Sequence, residues 1–215
     1  YMKFRILIFD FDGTIADTQR FHAQIESEIL ARFGVSITPE EIARRFAGMT
    51  LQQQFDILLG NSVIYDMESV RAEKYFKLGA LVSHELQAMP GAVDLIATLS
   101  REGFPLAVGS ASRKFYVDLV TEALWVKHHF RALVGGDMVP RGKPEPDIFL
   151  LAAKLMGVAP HDCLVIGDGN ADAEAAHRAG MRCIKLMTPG MMEFHETAMT
   201  VSHLGCITPA LVRTM

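Results

Sequence analysis

Apolar and polar positions along this 215-residue chain follow two different periods. Ile6-Leu7-Ile8-Phe9 is a short unbroken apolar run, the pattern of a buried strand. The period then becomes helical. Phe21, Ile25, Ile29, Leu30 and Phe33 recur at helical spacing until Gly34 stops the pattern. Thr38-Pro39-Glu40-Glu41 combines a capping box with proline at the first helical position, so a helix is expected to begin there. Thr50-Leu51-Gln52-Gln53 repeats the box and opens another, and a further helix is expected from Met67 to about His84. Residues 16–88 therefore read as helical throughout.

From Pro90-Gly91 onward the two periods alternate. A helix over Ala92–Arg101 ends at Gly103, and Phe104–Val108 reads as a strand. A helix from about Arg113 to Leu124 precedes a short strand near Ala132-Leu133-Val134. Helix Asp147–Met156 leads to strand Cys163–Ile166, and helix Ala171–Ala179 to strand Arg182–Leu186, with Gly180 between them. Thr200-Val201 reads as a last edge strand, while Met191–Phe194 and the tail after Ser202 receive no assignment. Short connections between alternating strands and helices imply a mostly parallel sheet covered on both faces. The expected fold is α/β and doubly wound. Residues 1–15 and 89–215 form one domain, and residues 16–88 form an all-helical domain inserted after its first strand.

Composition changes this picture little. Half of the residues are hydrophobic and 21% are charged, which is ordinary for a globular protein. A net charge of -4 gives no general reason to expect nucleic acid or an acidic membrane surface as a partner. No apolar stretch is long enough to span a bilayer, and the N-terminal apolar run, interrupted by acids, is expected to be a strand and lacks a signal-peptide pattern. Cys163, Cys183 and Cys206 form no close pair, so reduced and buried thiols are expected rather than disulfides or a zinc site. A cytoplasmic protein, monomeric or weakly dimeric, fits these features.

The chemistry gathers at strand ends. The first strand runs into Asp10-Phe11-Asp12-Gly13-Thr14, so two carboxylates stand where a strand ends and a glycine turn begins. Paired acids are costly there unless a cation or a reaction needs them. The strand through Leu106-Ala107-Val108 ends in Gly109-Ser110, and the strand Leu164-Val165-Ile166 ends in Gly167-Asp168. Lys143 stands in a loop, Gly142-Lys143-Pro144-Glu145-Pro146-Asp147, ahead of a helix. Taken singly, Ser110 reads as a helix cap, Lys143 as a surface lysine and Gly167-Asp168-Gly169 as a turn. Ligands of such sheets bind at the carboxyl ends of the strands, and there the four features converge.

That set suits phosphoryl transfer. The transferred group carries negative charge on its oxygens, which Lys143 and the Ser110 hydroxyl would meet. A hard cation such as Mg²⁺ takes one or two carboxylates with substrate oxygen and water, a role for Asp10 and Asp168. One carboxylate can attack phosphorus, and a second can protonate the leaving alcohol and later activate water. Asp10 and Asp12 offer that pair.

The four motifs, completed by Val108-Gly109-Ser110-Ala111-Ser112 and Val165-Ile166-Gly167-Asp168-Gly169-Asn170-Ala171-Asp172, resemble those of the haloacid dehalogenase superfamily. The resemblance is to the phosphoglycolate phosphatase and β-phosphoglucomutase branch, with its inserted helical cap, and covers essentially the whole chain. It implies Asp10 as nucleophile and Asp12 as general acid and base. It implies Ser110 and Lys143 as phosphate clamps, Lys143 also steadying Asp10, with Thr14, Ala111 and His22 as further phosphate or substrate contacts. Mg²⁺ would be held by Asp10, the Asp12 backbone carbonyl and Asp168, with Asp172 as a further acidic group behind them. The partner implied is a small phosphorylated metabolite, over which the cap would close to exclude water.

Departures from the mutase pattern bear on the substrate. Some relatives carry Glu before the last-motif Asp, where this chain has Gly167. The mutase also grips a distal phosphate with a cap arginine, and the matching stretch here, Gly48-Met49-Thr50-Leu51, offers Leu51. Thr18 and His22 do match mutase positions near its acid and base. A phosphatase is therefore expected first, with a β-phosphoglucomutase-like mutase as the alternative and a silent metabolite-binding module behind it. Asp12 argues against a true dehalogenase, whose relatives lack a second acid there. Phe46, Met49 and Phe55 either line a pocket or pack the cap.

Overall fold

The structure is a computed structural model that describes residues 4–46, 50–60, 63–187 and 198–215. Tyr1, Gly48, Met49 and the stretch Met191–Phe194 lie outside the described residues. The chain divides into two compact units, Tyr1–Asp17 with Gln87–Met215, and Thr18–Leu86. Among the described residues no helix is long and apolar enough to cross a membrane.

Among the described residues the first unit is built on a six-stranded sheet. Its strands are β1 (Ile6–Phe9), β2 (Leu106–Gly109), β3 (Phe130–Val134), β4 (Cys163–Gly167), β5 (Arg182–Leu186) and β6 (Met199–Val201). Their order is β3-β2-β1-β4-β5-β6 and every pairing is parallel. The unbroken apolar run of β1 is explained by its central place, since all four residues are buried between strands and between layers. Ile6 and Ile8 pack with Ala107, Val165, Ile148 and Phe149 on one face. Phe9, of opposite parity, meets the ring of Phe130 at 6.2 Å.

Helices α5 (Ala92–Arg101), α6 (Lys114–Ala123), α7 (Asp147–Met156), α8 (Asn170–Arg178) and α9 (Pro209–Thr214) belong to the same unit. The chain winds outward from β1 through β2 to β3, then crosses back so that β4 lies on the other side of β1. That reversal opens a crevice at the carboxyl ends of β1, β2 and β4. Between Asp17 and Gln87 the chain makes its long excursion. Asp17 N–H donates to Gln87 O at 2.9 Å and Met89 N–H to Ile15 O at 2.9 Å, so outgoing and returning segments are tied together. Cys163 and Cys183 are buried thiols, as their strand positions require, but Cys206 is exposed in the C-terminal segment that received no assignment.

The second unit holds α1 (Gln19–Arg32), α2 (Pro39–Arg45), α3 (Leu51–Leu59) and α4 (Met67–Glu85). Both capping boxes form, with Glu41 N–H on Thr38 Oγ1 and Gln53 N–H on Thr50 Oγ1, each at 3.2 Å. Asp66 caps α4 in the same way, accepting from the N–H groups of Glu68 and Ser69. Phe55 is wholly buried, with its ring 6.0 Å from Phe33 and 5.5 Å from Tyr65, and Phe46 is buried too. Across this core Lys74 of α4 meets Glu26 of α1 at 2.5 Å, both side chains nearly inaccessible.

Candidate active site

The loop leaving β1 is bent by its own backbone. The N–H groups of Ile15 and Ala16 both donate to Phe11 O, and Gly13 sits at φ +86°, a conformation suited to glycine. Phe11 turns into the core against the Tyr116 ring, 6.3 Å away. The residues on either side of it, Asp10 and Asp12, are thereby left at the sheet's carboxyl edge. Asp10 N–H continues the strand pairing by donating to Ile166 O at 2.8 Å, which brings the ends of β1 and β4 together.

Asp10 is buried and meets a cation. Lys143 Nζ lies 2.5 Å from Asp10 Oδ1 and 2.6 Å from Asp172 Oδ1. The ammonium also lies 4.8 Å from the centre of the Phe149 ring, a cation–π contact from α7. Gly109 makes room for that ring, because a Cβ there would stand 2.9 Å from it. The Lys143 loop is fastened by Arg141 to Asp147, with contacts of 3.1 and 2.8 Å, and by Glu145 to Arg178 of α8 at 2.5 Å. A lysine that alone reads as a surface residue is thus drawn inside by two carboxylates, an aromatic face and a tethered loop.

Carboxylate oxygens of Asp10, Asp168 and Asp172 lie within 4.8 Å of one another, and all three residues are buried. Thr14 Oγ1 stands between two of them, 3.4 Å from Asp10 Oδ2 and 3.2 Å from Asp168 Oδ1. Asp172, in the first turn of α8, also accepts from Gly169 N–H at 2.9 Å. Burial, then the charge of Asp172, and then that of Asp168 push the Asp10 carboxyl well above its ordinary range, against the pull of Lys143. Burial alone would lower the Lys143 pKa, but the Asp10 and Asp172 carboxylates outweigh it and hold the ammonium charged. Three carboxylates against one ammonium leave a formal charge of −2 in a small volume. An all-oxygen donor set of that charge fits a hard divalent cation.

Asp12 takes another direction. Its Oδ2 accepts from Ser112 Oγ at 2.6 Å, and its carboxylate is not one of the three clustered groups. Ser110 is wholly buried at the end of β2, where its N–H donates to Val134 O. Its Oγ accepts from Ser112 N–H at 2.9 Å, so its own proton remains to be donated. Ser110 does not cap α6. The acceptor for the Lys114 N–H is Asp137 Oδ1, at 2.7 Å. Ala111 is exposed beside it, in the same turn.

The α/β unit therefore brings together Asp10, Thr14, Lys143, Asp168 and Asp172, with Asp12, Ser110 and Ala111 on the neighbouring loops. His22, partly buried, is carried by α1 of the helical unit. Two contributors were not read from the sequence. Ser112 was visible only as the last residue of its motif, and Phe149 only as an apolar position of a helix.

The family of haloacid dehalogenase-like hydrolases matches residues 7–186, and the chain belongs to it. It is 30% identical over 184 residues to the fructose-1-phosphate phosphatase YqaB of Escherichia coli, covering 86% of this chain and 97% of that protein. It is likewise 30% identical over 187 residues to phosphoglycolate phosphatase 1 of Pseudomonas aeruginosa, covering 85% and 69%. Among solved structures it is similar to CbbY from Rhodobacter sphaeroides in complex with phosphate, with a TM-score of 0.85 and 26% identity over 99% of this chain and 100% of that one.

Proposed function

We propose that this haloacid dehalogenase-like hydrolase cleaves a small phosphorylated metabolite, a sugar phosphate or phosphoglycolate-like acid, through an aspartyl-phosphate. The observation that carries this reading is the buried Asp10–Lys143–Asp172 contact at the strand ends, with a separately held carboxyl, Asp12, two residues from Asp10. As a phosphoric monoester hydrolase it needs a nucleophile, a cationic clamp and a proton shuttle, and these are the groups present.

In the first step an Asp10 carboxylate oxygen attacks phosphorus. The bond from phosphorus to the leaving oxygen breaks, and that oxygen takes the proton of the Asp12 carboxyl group. In the second step water attacks the phosphorus of the aspartyl-phosphate while the Asp12 carboxylate accepts its proton, releasing inorganic phosphate and restoring Asp10. Lys143 and the Ser110 hydroxyl hold the phosphoryl oxygens, helped by Thr14 and the Ala111 backbone. Asp10, the Asp12 backbone carbonyl and Asp168, with Asp172 behind them, would hold Mg²⁺. When bound, Mg²⁺ would neutralise charge on the phosphoryl oxygens and between the clustered acids. We assign phosphoryl transfer to residues 1–15 and 89–215, and substrate choice, with His22, to the helical insertion 16–88.

The test is phosphate release with Mg²⁺ from a panel containing fructose 1-phosphate, other sugar phosphates and 2-phosphoglycolate. Acid-quenched protein is then searched for a phosphoryl group on the peptide carrying Asp10. Turnover by wild type, none by Asp10→Asn and a labelled Asp10 peptide are expected. Equal turnover by the two proteins would remove Asp10 as nucleophile.

A further inference from the structure

We propose that Ser112 is a positioning residue for the acid–base group, holding Oδ2 of the Asp12 carboxyl so that its other oxygen carries the proton to the leaving group. The inference rests on the reading of Asp12 as acid and base given above, and adds to it the residue that orients this group.

The geometry is specific. Ser112 Oγ donates to Asp12 Oδ2 at 2.6 Å, a short hydrogen bond of the kind formed to a charged acceptor. Ser112 itself cannot drift. Its N–H is held by Ser110 Oγ at 2.9 Å and its carbonyl accepts from Gly136 N–H at 2.8 Å. The next turn is pinned by Asp137 on the Lys114 N–H. The loop carrying Gly136 fits closely against this segment, since a Cβ at Gly136 would stand 2.4 Å from Ala111 O. The hydroxyl is therefore a fixed donor on a clamped loop, facing Asp12, which is partly buried and bridged to Ala16 at the end of β1.

A carboxyl group that must deliver a proton has two oxygens, and only one can face the leaving oxygen. With Oδ2 committed to a donor, the proton is placed on Oδ1 and rotation of the group is stopped. Such positioning accounts for part of the rate gained by acid–base catalysis. The arrangement also links two functions in one loop, because Ser110, the proposed phosphate clamp, fixes the backbone of the residue that orients the acid.

The experiment compares kcat/KM on two esters, which reports phosphorus–oxygen cleavage and not the later attack by water. Phenyl phosphate has a leaving group that needs a proton, whereas 2,4-dinitrophenyl phosphate leaves as a stable anion. For Ser112→Ala we expect a loss of about tenfold to a hundredfold on phenyl phosphate, part of the range for acid catalysis. The loss on the dinitrophenyl ester should stay under about threefold, with inhibition by inorganic phosphate unchanged. Ser112→Thr, which keeps the hydroxyl, should restore most of the phenyl phosphate rate, and it serves as the test if the alanine variant does not fold. Asp12→Asn is the reference and should show the same leaving-group dependence, more strongly. Equal losses on both esters, or weakened inhibition by phosphate, would overturn the proposal by making Ser112 a structural or phosphate-gripping residue. No loss on either ester would overturn it as well. If Asp12→Asn itself lacks leaving-group dependence, the acid–base reading fails first and the proposal falls with it.

Discussion

A Cβ placed on Gly167 would stand 2.7 Å from Asp172 Oδ2 and 2.8 Å from its Cβ and Cγ. The absence of a side chain at the end of β4 is therefore the space in which Asp172 reaches Lys143. Read from the motif, Gly167 was only a missing acidic ligand. In three dimensions it admits an acid from the first turn of α8.

Gly167→Ala tests this directly. The methyl group must displace Asp172 from a closely packed position, an overpacking that costs about 1–3 kcal/mol. Because Asp172 touches Lys143 at 2.6 Å, activity should fall more than stability does. Thermal unfolding and steady-state kinetics on one substrate measure the two effects. A variant with native Tm and native kcat/KM would show that Asp172 can move without consequence.

Lys143→Met removes the cation from two buried acids. Breaking a buried ion pair by deleting one partner costs on the order of 3–5 kcal/mol, since a charge is left uncompensated. The folded-state pKa of Lys143 is raised above its ordinary 10.5, so its stabilising contribution is fully present below that pH and is lost only as pH rises through the raised value. The Tm difference between wild type and variant should therefore persist across the neutral range and shrink only in strong alkali. Turnover should drop by about a hundredfold or more, as when a donor to developing charge is removed.

Asp168→Asn should stabilise the metal-free protein while disabling it. The carboxyl of Asp10 is raised by burial, by Asp172 and, to a lesser degree, by Asp168. A raised carboxyl reverses the usual sign. The folded state binds the proton more tightly than the unfolded chain, so this group's effect weakens the fold as pH rises from its ordinary 3.8 through the raised value. Removing one like charge should relieve that effect, keeping the acceptor for Thr14. With a chelator present, Tm should rise by about 2–4 °C for each kcal/mol relieved, more at pH 8 than near pH 5. Added Mg²⁺ should raise the Tm of wild type and barely move that of the variant. A variant that is less stable than wild type in chelator would contradict repulsion between Asp168 and Asp10.

The three thiols should separate by labelling. Burial pushes the Cys163 thiol up to about 12, and burial followed by the charge of Asp172 pushes Cys183 up as well. Cys206 is exposed. Iodoacetamide at mildly alkaline pH should modify Cys206 alone in the native protein and all three in urea, as read by peptide mass. Native labelling of Cys163 or Cys183 would show that strands β4 and β5 open readily.

What the sequence made legible was local. The four-residue apolar run of β1, the two capping boxes and the glycine stops are short-range patterns with physical causes, and each formed where it was expected. The site was legible where function left a carboxylate or lysine at a strand end. Partnerships between loops were not. Ser112 meets Asp12 across 100 positions of sequence, and Gly109 admits Phe149, which in turn faces Lys143. Such contacts depend on the order in which parallel strands are laid side by side, and no periodicity records that order. The edge strand β6 was readable only as two β-branched residues, because a three-residue strand has little pattern to show.

The buried pair Lys74–Glu26 in the helical unit bears on how the insertion is held together. Its partners, 2.5 Å apart, join α4 to α1 with side chains 9% and 6% exposed. Desolvating two charges offsets much of what their attraction contributes, so the pair is weak evidence for stability and stronger evidence for a fixed alignment of the two helices. Glu26→Leu alone should destabilise by roughly 3–5 kcal/mol, because an ammonium is left buried without its carboxylate. Lys74→Met alone should do the same from the other side. Glu26→Leu with Lys74→Met should recover most of the loss, since two apolar side chains of similar volume can pack where the charges met. Thermal unfolding of the four proteins gives the coupling directly as a double-mutant cycle. If the double variant is as unstable as the sum of the singles, the two residues are uncoupled, and the loss in each single variant does not come from a charge left without its partner.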